Sequence, residues 1–128
     1  MTASKIVAAA ASGAGGGTTD VDDVFSARTF LGNGSSQVIT NNVDLTEGGM
    51  VWVKTRSHTA GGGIVDTETG ASKYLLTNST AAQVSGNSSV TSFNNNGFTV
   101  GSSGTFNENN YEYASWTFRK AAKFFDIV

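Results

Sequence analysis

The chain is 128 residues long, 14% charged, with a formal net charge of -2 and a pI near 5.1. That length holds one domain with one core, and eight Lys plus Arg scattered along it form no basic patch, which excludes a charge-driven nucleic-acid binder. No cysteine is present, so disulfides and thiolate metal sites are excluded, and no apolar run approaches the roughly 18 residues of a membrane-spanning helix.

Residues 1–20 differ from the rest. Lys5 precedes an apolar run from Ile6 to Ala11, then Ser12 and a glycine-rich tract, Gly13 to Gly17. The apolar core of a signal peptide needs about 7–15 residues, so the six here read instead as a short alanine-rich helix. The glycines end it and act as a tether to the rest of the chain. Asp20, Asp22 and Asp23 come next. Three carboxylates so close could hold a hard cation, but the glycine and distal glutamate of a calcium loop are missing. A solvated acidic linker is the simpler reading.

Sixteen glycines, no proline, and many Ser, Thr and Asn predict short strands joined by turns. The first strand is expected at Phe25–Leu31 and the second at Gln37–Thr40. The turn residues Gly32-Asn33-Gly34-Ser35 between them predict a hairpin. Met50–Thr55 has apolar residues in both parity sets and should be a central strand. A glycine-rich loop with the single histidine, His58, separates it from a strand at Ile64-Val65. Lys73–Thr77 is short and apolar, and 78–89 is polar and irregular. Val90–Phe93 and Phe98–Val100 flank Asn94-Asn95-Asn96-Gly97 and predict a second hairpin. Thr105–Asn107 is expected to pair locally. Tyr111–Arg119 is the strongest strand, and should close the sheet by pairing with earlier strands, the first included. One of its parity sets holds Glu112, Ala114, Trp116 and Phe118, and the other Tyr111, Tyr113, Ser115, Thr117 and Arg119. Taking the more apolar set as buried puts Trp116 and Phe118 in the core and the tyrosines on a wet face. The spacing predicts an all-β antiparallel sandwich or jelly roll, with its core on Phe25, Val51, Trp52, Val53, Phe98, Val100, Trp116 and Phe118.

Candidate chemistry is sparse. Asp66 and Glu68 share one parity, as the paired carboxylates of some sandwich-fold glycosidases do, about 5–5.5 Å apart in retaining enzymes. A third acid on the same strand is missing, because Gly70 occupies its place. Turn capping, or ion pairs with Arg56 or Lys73, account for both residues more simply. His58 between Ser57 and Thr59 lacks the third group that orients a catalytic base. No phosphate loop and no His/Cys cluster appears. Trp52 and Trp116 are expected in the core, which leaves the tyrosines as aromatics able to stack on a sugar.

Several blocks in order carry a resemblance. They are Val21 to Ser26 (VDDVFS), Gly32 to Ser35 (GNGS), Gly49 to Lys54 (GMVWVK) with Arg56-Ser57 after it, Asp66 to Gly70 (DTETG), Phe93 to Phe98 (FNNNGF), Ala114 to Lys120 (ASWTFRK) and Lys123 to Val128 (KFFDIV). Together they resemble a repeated domain of bacteriophage virion proteins, common in marine and cyanobacterial phages and described as tail-fibre-like or minor structural proteins. The resemblance covers about 21–128. It implies a concanavalin-A-like (laminin-G-like) β-sandwich and brings no catalytic motif. Two departures stand out. Relatives often carry proline where Ala122 stands, and they tend to continue past the final block into a second sandwich.

The domain expectation is an arm or virion-attachment segment at 1–20, a sandwich at 21–120, and an extension or linker at 121–128. The functional expectation is a non-enzymatic virion protein without cofactor or metal, a tail fibre or fibre-anchoring domain, trimeric as fibres commonly are. Its partners would be other virion proteins and a host-surface glycan, with no nucleic acid and no membrane insertion. Lys5, Ile6, Val7, Phe124 and Phe125 are the assembly candidates. A lectin-like module using His58, Asn95, Tyr111 and Tyr113 is the alternative, as is a capsid decoration or head fibre.

Overall fold

A computed structural model describes residues 19–86 and 88–128. The expectations for Lys5, Ile6, Val7 and the alanine run lie outside those residues. A single helical turn, α1 (Val21–Val24), leads into β1 (Phe25–Leu31). Next come β2 (Gln37–Thr40), a 3-10 turn (Leu45–Glu47), β3 (Gly49–Thr55), β4 (Gly62–Asp66), β5 (Lys73–Leu76) and β6 (Val84–Ser85). β7 (Val90–Asn94), β8 (Gly97–Val100), the helical turn α2 (Gly104–Asn107) and β9 (Glu112–Arg119) complete the chain. The strands form two antiparallel sheets, one of six strands in the order β1-β9-β3-β4-β5-β6 and one of three in the order β2-β8-β7. The fold is an all-β sandwich, as the strand spacing predicts.

The core lies between the sheets. Val51 and Val53 of β3, Val65 of β4 and Tyr74 of β5 point inward from the large sheet. Ile39, Phe98, Val100 and Val90 meet them from the small one, and Phe106 of α2 closes one end. Each such side chain contributes about 1.5–3 kcal/mol through burial. Gly63 makes room for Phe106, since a Cβ there would lie 2.5 Å from the ring. Gly97 has φ +147, and a Cβ would lie 2.0 Å from Ile39 O, so only glycine lets β8 pass β2 this closely.

Three expectations need correction. First, the parity of β9 is the reverse of the reading by hydrophobicity. Tyr113, Ser115 and Thr117 are buried, and Trp116 and Phe118 lie on the outer face of the sheet with Phe25 and Trp52. Two causes act together. The inward side chains fit there, since the Tyr113 ring stacks on Phe30, which meets Phe98 edge-on at 6.4 Å, and Ser115 and Thr117 are small. Their hydroxyls are also satisfied, because Ser115 Oγ donates to Arg28 O (3.0 Å) and Thr117 Oγ1 accepts from Asn41 Nδ2 (2.9 Å). Of the expected core, Val51, Val53, Phe98 and Val100 hold.

Second, β1 and β2 do not form a hairpin: β1 pairs with β9 and β2 with β8. The segment between them is pinned to a distant loop. Asn107, fully buried, accepts from Asn33 N (3.0 Å) and Gln37 Nε2 (2.8 Å). Its amide nitrogen faces Gly101 O (2.8 Å), Ser35 O (2.5 Å) and Asn33 Oδ1 (3.1 Å). The chain thereby crosses from one sheet to the other. Third, 105–107 belongs to α2, whose N-cap Ser103 accepts from Thr105 N. The β7–β8 hairpin, with Phe93 opposite Phe98, agrees with expectation.

Candidate functional site

The outer face of the large sheet is the first surface of interest. Alternation puts Trp52, Trp116, Ala27, Ile64 and Leu75 on one side, and the register sets them in one row. Ala27 lies opposite Trp116, Trp116 opposite Trp52, Trp52 opposite Ile64, and Ile64 opposite Leu75. With strands about 4.8 Å apart, this apolar row is roughly 19 Å long. A second row, Phe25–Phe118–Met50, runs beside it. The indoles of Trp52 and Trp116 contact at 5.0 Å and 45°, and Phe25 meets Phe118 at 5.1 Å. These pairs cover one another in part, yet Trp52 remains 37% exposed and Leu75 54%. Nothing in the residue pattern marks this surface, because both indoles read as core.

The C-terminal residues pack at one end of that face. Ala121 and Phe125 bridge through their backbones, and Phe125 lies 5.4 Å from Phe118. Phe124 is exposed. Lys120 Nζ binds Glu68 Oε1 (3.1 Å) and lies 3.6 Å from Asp126 Oδ1. The hydrogen bond to Glu68 is the chief cause that raises the Lys120 pKa. An open cleft of about 570 Å³ is lined by Lys120 to Asp126.

The glycan candidates divide. His58 and Tyr111 come together, their rings stacked at 3.6 Å and 7°. Ser57 holds the pair in place: its Oγ accepts from Glu112 N (2.9 Å) and lies 2.8 Å from His58 Nδ1. Arg56 and Glu112 form an exposed ion pair at 3.4 Å, worth about 0–1 kcal/mol. A shallow cleft of about 280 Å³ lies beside them, lined by Thr29, Phe30, Leu31, Arg56 and Glu112. Asn95 is elsewhere. Its turn contacts Asn41, which bonds Thr117, and Thr117 is five residues along β9 from Glu112, roughly 17 Å away.

Tyr113 is a correction: it is 0% exposed and cannot touch a ligand. Its ring stacks on Phe30 at 5.2 Å, and its hydroxyl accepts from Glu108 N (2.8 Å) and donates to Gly104 O (3.2 Å). Burial, the largest effect, raises its pKa.

The carboxylates have structural duties. Asp66 Oδ1 accepts from Thr69 N (2.7 Å) and Oδ2 from Thr69 Oγ1 (2.9 Å), which caps the turn after β4. Glu68 pairs with Lys120, not with Arg56 or Lys73. Among the described residues no group of three or more His, Cys, Asp or Glu side chains could hold a metal ion, and no helix is long and apolar enough to cross a membrane.

No curated protein and no solved structure matches the chain. Residues 20–124, from just before α1 to Phe124, match the family described as domain of unknown function DUF7483, and the chain belongs to that family.

Proposed function

We propose that the chain is a non-enzymatic structural protein of a bacteriophage particle, a tail fibre or fibre-anchoring domain that serves assembly and host attachment. The observation that carries this reading is the apolar outer face. Two of the blocks that resemble virion proteins, at 49–54 and 114–120, are neighbouring strands β3 and β9, and their outward side chains supply Met50, Trp52, Trp116 and Phe118. A continuous apolar row on a sheet face suits packing against another protein surface. The engagement of Asp66 and Glu68 in a turn cap and an ion pair favours a structural over a hydrolytic role. Protein mass spectrometry of purified particles tests the reading, with imaging of the intact particle to trace the chain. The expected result is the chain in stoichiometric copies on the tail. Finding it only in the lysate, never in particles, would refute it. Density on the head would favour the decoration or head-fibre alternative.

A second reading, a lectin-like contact, rests on the His58–Tyr111 stack beside Arg56 and Glu112. An aromatic surface next to charged donors and acceptors is the usual chemistry for a sugar ring. Binding on a glycan array that disappears in Tyr111→Ala would support it, and silence across a broad array would end it.

A further inference from the structure

β1 is the edge strand of the large sheet, seven residues long, with no bulge in its pairing to β9, no proline and one charge, Arg28. Strand alternation fixes which backbone groups face outward. Gly32 N donates to Tyr111 O, and Ser115 Oγ donates to Arg28 O, so the even-numbered residues aim their groups at β9. Phe25, Ala27, Thr29 and Leu31 aim theirs away. These four residues carry eight groups, and two are already satisfied: Phe25 N donates to Val21 O, and Leu31 O accepts from Gln37 Nε2 (2.9 Å). Six stay open among the described residues. They are Phe25 O, both groups of Ala27, both of Thr29, and Leu31 N.

The open set is symmetric about Arg28, and that symmetry points to its occupant. We propose that β1 pairs with β1 of a second copy of this chain, antiparallel across a two-fold axis through Arg28. Phe25 then faces Leu31 of the second copy, and Ala27 faces Thr29. Leu31 N meets Phe25 O, Ala27 N meets Thr29 O, and Thr29 N meets Ala27 O, each twice. The two groups satisfied within the chain fall opposite one another at the ends. A shift of the register by two residues in either direction sets an open group against a satisfied one. Any extended peptide could use an open edge, but this match is a property of β1 against itself. On the outer face the contact gives Phe25 and Leu31, the latter 56% exposed, an apolar neighbour across the seam. On the other face it sets Arg28 against Arg28, a like-charge pair that salt relieves.

The test is sedimentation equilibrium of the full 128-residue chain over a range of concentration and salt, with hydrogen exchange on the same samples. The wild type should be a dimer that tightens as salt rises. Ala27→Pro should be a folded monomer, because an edge strand tolerates proline where its N–H faces outward. Arg28→Ser should tighten the dimer roughly two- to fivefold at low salt and flatten its salt dependence. The amides of Ala27, Thr29 and Leu31 should gain protection with concentration. If Ala27→Pro fails to fold, that exchange pattern decides. A wild type still monomeric at about 1 mM, a trimer, or a dimer that persists in folded Ala27→Pro overturns the proposal. So does protection that is independent of concentration, which would put another segment of the same chain on the edge. None of these results depends on whether the chain is found in a phage particle.

Discussion

Replacing Asn107 by alanine should unlock the crossing between the two sheets. The side chain is fully buried and serves partners in three stretches, at Asn33 to Ser35, Gln37 and Gly101. Alanine removes all of these bonds. Gly101 is buried, so its carbonyl loses its partner without gaining water, a cost of about 1–3 kcal/mol. Asn33 and Ser35 are exposed and rehydrate, so their loss is smaller. The sum is about 2–4 kcal/mol, or roughly 8–16 °C in Tm for a domain of this size. Asn107→Asp makes a sharper test. It keeps the acceptors for Asn33 N and Gln37 Nε2, but turns an oxygen toward three others. That arrangement favours the protonated acid and raises its folded pKa above the unfolded value of about 3.9. The variant's stability should then be fullest below pH about 3.9 and fall as pH rises through the folded value. Urea unfolding monitored by circular dichroism measures both variants. Asn107→Ala within about 0.5 kcal/mol of wild type would refute the reasoning, as would Asn107→Asp more stable at pH 7 than at pH 4.

The Tyr113 phenol titrates above its ordinary value of 10.0, chiefly because it is buried. A raised folded pKa gives stability that is complete below the unfolded pKa and lost as pH climbs through the folded one, so the protein should weaken above pH about 10. Tyr113→Phe should flatten that alkaline loss and cost about 0.5–1.5 kcal/mol at neutral pH, because the hydrogen bonds to Glu108 N and Gly104 O are lost. Lys120 is raised in the same direction by Glu68, so Glu68→Gln should remove a further part of the slope. Gly63→Ala forces a methyl to within 2.5 Å of Phe106 and should destabilise by about 1–3 kcal/mol in thermal unfolding.

Most of the strands are legible in the sequence; β6, two residues inside the stretch 78–89 expected to be irregular, is not, because only its pairing with β5 makes it a strand. Turn residues delimit β1, β2, β7 and β8 well, and the two-sided apolar pattern of β3 marks it as central. Closure of the sheet by β9 against β1 follows from chain order and bears out the expectation. What failed was the choice of face. Both parity sets of β9 hold aromatics, and hydrophobicity favoured the set with Trp116. The preference is overturned by partners outside the strand: Asn41 for Thr117 and Arg28 O for Ser115, both more than seventy residues away, and Glu108 N with Gly104 O, in the preceding turn, for Tyr113. Strand parity reads none of them. The same holds for the β1–β2 connection, whose glycine and asparagine residues look like a tight turn yet are bound by Asn107, some seventy residues on. Of the sugar-binding candidates, His58 and Tyr111 meet because Arg56 N donates to Glu112 O and Ser57 Oγ accepts from Glu112 N, at the start of β9.

The most direct test of this architecture is the order of two truncations in β9. Tyr113→Ala empties a fully buried ring site and should cost about 3–5 kcal/mol. Trp116→Ala removes a partly buried indole, paired with Trp52 on the outer face, and should cost about 1–2 kcal/mol. Denaturant unfolding of both variants beside the wild type gives the ranking. A larger loss for Tyr113→Ala is the predicted result, and a larger loss for Trp116→Ala would contradict the assignment of inner and outer faces.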